Sequence, residues 1–119
     1  MNGLITTHHY DDLSDVLKRI HEYKVSGVVK QTTCCEPYVL GQGKYKVALY
    51  DFGAKKNIAR ELVKRDCEVT VLPAHTPAQI ILDGHFDGIM LSNGPGDPSE
   101  CLDIIDNMKI LSQSEMPIF

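Results

Sequence analysis

From residue 47 onward the chain alternates short apolar runs with amphipathic stretches, and that alternation constrains the fold more than any other feature. Val47-Ala48-Leu49-Tyr50, Val69-Thr70-Val71-Leu72 and Gly88-Ile89-Met90-Leu91 are almost wholly apolar, the pattern of strands buried on both faces. Between the first two, Asn57 to Arg65 places Ile58, Leu62 and Val63 on one side of a helix. Thr76-Pro77 opens a short helix, with Thr as N-cap and Pro at the first helical position. Asp97 or Ser99 caps a further helix, in which Leu102, Ile105 and Met108 recur at three-residue steps. Pro117-Ile118-Phe119 begins a fourth apolar run. The order β-α-β-α-β-α-β predicts an α/β fold of three layers, a parallel sheet with helices on both faces. A last strand with no helix after it makes that sheet read as incomplete, which is the expectation for a fragment.

The first part of the chain follows a different pattern. From Asp11 to Tyr23, Leu13, Val16, Leu17 and Ile20 form one helical stripe, with Asp11 and Asp12 early and Lys18 and Arg19 late, as the helix dipole favours. Val25 to Val29 is short and β-branched and reads as a strand. Glu36-Pro37 and Gly41-Gln42-Gly43-Lys44 read as a linker. A boundary near residue 44 therefore separates a small helix-strand unit with its linker, residues 1–44, from the α/β unit, residues 45–119.

Composition narrows the function classes. The 119 residues, 43% hydrophobic and 24% charged, suit one small folded domain. Twelve basic residues against 16 acidic ones give a net charge of −4, without the basic stripe of a nucleic-acid binder. No run approaches the roughly 20 apolar residues of a membrane helix. The first residues lack a basic region followed by an apolar one, so no membrane association and a cytoplasmic location are expected. Cys34, Cys35, Cys67 and Cys101 form no CxxC pair. The histidines His8, His9, His21, His75 and His85 complete no zinc-ligand spacing. Reduced thiols, no metal site and no cofactor are the expectation.

Among the motifs, Ser92-Asn93-Gly94-Pro95-Gly96-Asp97-Pro98 is the most informative. It follows the third strand of the α/β unit, where open α/β sheets place their ligands. Two glycines and two prolines in close succession make a fixed backbone. Without a Cβ at Gly94, a ligand can approach that N–H closely, and a rigid N–H there can stabilise an oxyanion. The competing interpretation is a tight turn into a capped helix. Asp51-Phe52-Gly53 matches the metal-binding triplet of protein kinases, yet no His-Arg-Asp loop precedes it and the chain is far too short. Its structural interpretation is a turn permitted by Gly53, with Asp51 at the polar end of a strand. Gly41-Gln42-Gly43 lacks the Gly-Lys-Ser/Thr of a phosphate loop. No cysteine is paired in sequence with a histidine base, and ordinary buried or half-buried thiols are expected. His75 and His85 read as surface residues near turns.

Two segments carry a family resemblance. Val47-Ala48-Leu49-Tyr50-Asp51-Phe52-Gly53-Ala54-Lys55-Lys56-Asn57-Ile58 resembles the start of the class I glutamine amidotransferase domain in small subunits of carbamoyl-phosphate synthase. Gly88-Ile89-Met90-Leu91-Ser92-Asn93-Gly94-Pro95-Gly96-Asp97-Pro98 is more similar still. The likeness is strong from residue 46 onward and looser over residues 1 to about 44, which are similar to the tail of that family's N-terminal domain. It implies a flavodoxin-like fold and a glutaminase that works through a cysteine thioester, aided by histidine and glutamate. Ammonia then passes to a large subunit, which makes carbamoyl phosphate for pyrimidines and arginine. The implied partners are L-glutamine and that large subunit. Of the family's site residues, the resemblance carries over Gly94 and Gly96, whose backbone groups hold glutamine, the former at the oxyanion hole. The nucleophile's place falls after the strand that begins at Pro117, so no catalytic residue is assigned and the chain alone is expected to be inactive. The alternatives are a non-catalytic assembly module and the glutaminase portion of another class I amidotransferase, such as those serving anthranilate or GMP synthesis.

Overall fold

Every second residue of the strand Tyr45–Asp51 (β2) turns to the same side of the sheet, and both sides are covered. In the computed structural model, which describes residues 2–119, Ala48 and Tyr50 face one layer. There they pack with Ala78, Ile81, Ile89 and Leu111. Leu49 faces the other, against Ala59, Val69 and Val71. This period-two partition makes the middle of the strand, Val47 to Tyr50, apolar on both sides. The helix Lys56–Val63 (α3) covers the second face. The first is covered by Ala78–Asp83 (α4) and Leu102–Leu111 (α5).

The sheet is completed by Tyr38–Leu40 (β1), Cys67–Pro73 (β3) and Gly88–Leu91 (β4), in the order β1-β3-β2-β4. β2 pairs in parallel with β3 (Val47 opposite Val69) and with β4 (Val47 opposite Gly88). Beyond β4, Ile118 bridges Ile89 in parallel: the Ile89 N–H donates to Pro117 O at 2.8 Å and the Leu91 N–H to Phe119 O at 2.7 Å. The three-layer α/β architecture is thus as the alternation predicts.

Four local expectations are corrected. The sheet is mixed, because β1 pairs antiparallel with β3 (Val39 opposite Thr70), inside the stretch read as a linker. Its three residues are too few to show a period, and all are exposed. Val25 to Val29 is not a strand. Gly27 at φ +62° leads into a helix, Val28–Thr32 (α2), whose Val29 packs on Ala74 and Ile104. The packing of Val29 on Ala74 and Ile104 outweighs the β-propensity of the Val28-Val29 pair. Helix α4 begins at Ala78, and Thr76 offers no side-chain cap. Instead Asn107 of α5 accepts from the Ala78 N–H at 2.9 Å. In α5 the inward stripe is Ile104 and Leu111, both buried, with the half-buried Met108 between them, while Leu102 is 67% exposed. That is the i, i+4, i+7 spacing, not three-residue steps. The first helix, Ser14–Glu22 (α1), lies within the predicted stretch.

Candidate functional site

The chain passes from β2 to β3 on one side, then crosses to β4 on the other. At such a reversal the carboxyl ends of the two diverging strands leave a crevice that open α/β sheets use for ligands. Here those ends run into Asp51–Ala54 and Ser92–Asp97. A cavity of about 250 Å³ opens between them, lined by Val29, Phe52, Ser92, Gly94, Gly96 and Cys101 among others.

Asp51 builds the first wall. The residue is buried, at 8% exposure. One oxygen accepts from the N–H groups of Gly53 (2.9 Å) and Ala54 (2.6 Å), the other from Cys34 N–H at 2.8 Å. The bonds to Gly53 and Ala54 make the tight turn expected of an Asp at a strand end. Gly53 takes φ +114°. A Cβ there would lie 3.0 Å from both Pro95 Cδ and Thr32 Oγ1. The triplet is structural, as the absence of kinase features implies, and it also ties α2 and its following loop to the crevice.

The second wall is the Ser92–Asp97 loop. Ser92 is buried. Its Oγ accepts from Phe52 N–H at 2.9 Å and donates to Asn93 O at 2.8 Å, and its own N–H donates to Tyr50 O. Gly94 is exposed, and no acceptor among the described residues takes its N–H. The missing Cβ also has a structural use: it would lie 2.8 Å from Phe52 Cβ and 2.9 Å from Phe52 O, so glycine here lets the two walls touch. At Gly96 a Cβ would make only ordinary contact with Val28, at 3.7 Å, but the residue sits at φ +88°, which favours glycine by its dihedral. Asp97 accepts from Ser99 N–H at 2.9 Å, which holds its carboxyl below the usual value. It caps only the 3-10 turn Pro98–Glu100 ahead of α5.

Among the described residues no hydrogen bond joins a cysteine to a histidine. All four cysteines are free: Cys67 is buried, Cys34 and Cys101 are half-buried, and Cys35 is exposed. Burial, then the nearby Asp51 carboxylate, pushes the Cys34 thiol up, the opposite of activation. His75 hydrogen-bonds Asp103, chiefly through which that carboxyl is held low. Cys101 and His75 share a neighbouring cavity of about 140 Å³, and no hydrogen bond joins them. Among the described residues no group of His, Cys, Asp and Glu could hold a metal ion. No helix among them is long and apolar enough to cross a membrane.

The sequence points to Gly94 and Gly96 as candidates but gives no role to Ser92 and Phe52, whose hydrogen bond braces the loop. The available signal was a lone serine closing an otherwise apolar strand.

Residues 48–119, which include this glycine-proline loop at the reversal point of the sheet, match the model of the glutamine amidotransferase class-I family. The chain belongs to that family. Its curated relatives include proteins named carbamoyl phosphate synthase small chain. The one from Photorhabdus laumondii is 56% identical over 75 residues, covering 63% of this chain and 19% of the relative. That from Syntrophotalea carbinolica is 40% identical and covers 98% of this chain and 35% of the relative. That from Escherichia coli is 36% identical, covering 99% and 36%. The chain spans about a third or less of the length of these relatives.

Proposed function

We propose that this chain is the part of a glutamine-hydrolysing carbamoyl-phosphate synthase small subunit that holds glutamine by its backbone. The free Gly94 N–H at the switch-point crevice carries the proposal. A rigid, unpaired N–H at an exposed glycine is poised to donate to the oxyanion formed when a thiolate attacks the glutamine amide. Gly96, fixed by its left-handed dihedral, shapes the same loop around the substrate. The names of the relatives favour carbamoyl phosphate as the product line, with a large subunit receiving the ammonia in the cytoplasm and feeding pyrimidine and arginine synthesis.

In this reading residues 45–119 belong to the amidotransferase domain, and residues 1–44 are the tail of the preceding domain with its linker. Within residues 1–119 no side chain serves as nucleophile or base. The 119-residue polypeptide alone therefore binds at most the amide and does not turn it over.

The test uses the polypeptide as the gene encodes it, assayed with and without a carbamoyl-phosphate synthase large subunit. Glutamine-dependent carbamoyl phosphate formation is the expected result. Glutamine hydrolysis that feeds only a different acceptor, such as chorismate or xanthosine monophosphate, assigns the chain to another amidotransferase. No hydrolysis under either condition favours a non-catalytic assembly module. Steady turnover by residues 1–119 alone contradicts the absence of catalytic residues.

A further inference from the structure

We propose that Ser92 is a positioning residue that sets the direction of the Gly94 N–H. The inference rests on the oxyanion role given above to Gly94. The Ser92 Oγ donates to the Asn93 carbonyl at 2.8 Å. That carbonyl and the Gly94 N–H belong to one peptide unit. The unit is planar and trans, there being no cis peptide among the described residues, so its N–H points opposite to its C=O. By drawing the carbonyl to its own side, the hydroxyl turns the N–H the other way.

The hydroxyl cannot easily do anything else. Its oxygen accepts from Phe52 N–H at 2.9 Å, which leaves its single proton for Asn93 O. Ser92 is itself 8% exposed, at the end of β4, and its N–H is anchored on Tyr50 O at 3.2 Å. A Cβ on the glycine it orients would meet Phe52, whose N–H is the other partner of the same hydroxyl. One side chain thus fixes both walls of the crevice and the peptide between them. In an alanine variant the Asn93–Gly94 peptide is free to flip, because Gly94 imposes little dihedral restraint.

The test is run on the polypeptide as the gene encodes it, assayed for glutamine hydrolysis. Ser92→Ala should lower kcat by roughly 10- to 100-fold, less than the loss of a whole oxyanion donor, with KM changed by no more than about twofold. Ser92→Thr keeps the hydroxyl and should recover kcat to within about threefold of wild type. A thermal melt of each variant sets the folded fraction at the assay temperature. Wild-type kcat in a folded Ser92→Ala protein overturns the proposal, and so does a loss that Ser92→Thr shares in full. The Gly94 amide resonance gives a readout independent of turnover: it should shift in Ser92→Ala and stay near the wild-type position in Ser92→Thr. If the wild-type protein hydrolyses no glutamine, the function falls. The amide resonance then decides the Ser92 proposal by itself, and an unmoved Gly94 signal overturns it.

Discussion

The two parts of this chain differ in what holds them. In the sheet, Ala48, Leu49, Tyr50, Val69 and Val71 are 0–1% exposed. Across residues 2–44 only Val16 and Val29 are buried, and Leu13, just before α1, and Leu17 within it are 54% and 51% exposed. The molecule is correspondingly long, 63 × 29 × 21 Å, with a radius of gyration of 18.8 Å, against about 13–14 Å for a compact chain of this length. Stability therefore resides in the sheet and its helices. The upstream segment is fastened at a few points, notably Val29 on Ala74 and Cys34 N–H on Asp51. The two parts meet beside the crevice: Asp51 holds the Cys34 N–H, and Gly53 lies between Thr32 of α2 and Pro95 of the Gly94 loop.

The largest effects should come from the sheet. Leu49→Ala should cost about 2–5 kcal/mol, whereas Leu17→Ala on α1 should stay within about 0.5 kcal/mol. Urea unfolding of both variants checks the contrast, and equal losses would break it. Asp51→Ala, which strands three N–H groups, should cost about 3 kcal/mol and raise protease sensitivity in residues 28–36 more than in β3.

Alkaline pH probes the core from inside. Burial pushes the Tyr50 hydroxyl up to about 12, above the roughly 10 of an unfolded tyrosine. Its folded value is raised, so its contribution is fully present below pH ~10 and is lost as pH rises toward ~12, by about 3 kcal/mol. Tyr50→Phe should remove that alkaline loss. At neutral pH it should cost only about 1 kcal/mol, for the bond to Thr76 O.

The smallest effect belongs to the exposed pair. The His75 bond lowers the Asp103 carboxyl. Its stabilisation is therefore present above the unfolded aspartate value and is lost as pH falls through the lowered one. With the side chains 40% and 59% exposed, His75→Ala should cost under about 1 kcal/mol. A larger loss in an acid titration would place more of the fold's stability on its surface.

Much of the sheet was legible because it rests on unbroken apolar runs: Val47–Tyr50, Val69–Leu72 and Gly88–Leu91 each lie inside an observed strand. Upstream, three residues of β1 carry no periodicity, and the β-branched Val28-Val29 pair is helical because a buried contact outweighs propensity. The α4 cap was invisible for a related reason: Asn107 reaches it from another helix. At the site, glycines and prolines announced an unusual loop, but which groups brace it depends on a contact between residues 40 apart, Phe52 and Ser92.

The central claim is that the loop at Gly94 receives glutamine. The most direct measurement is a titration of L-glutamine into the ¹⁵N-labelled polypeptide as the gene encodes it, following the Gly94 and Gly96 amides. Saturable shifts at both, absent with D-glutamine, are the predicted result. Amides that stay still while glutamine is bound or hydrolysed would place the substrate elsewhere and contradict the account.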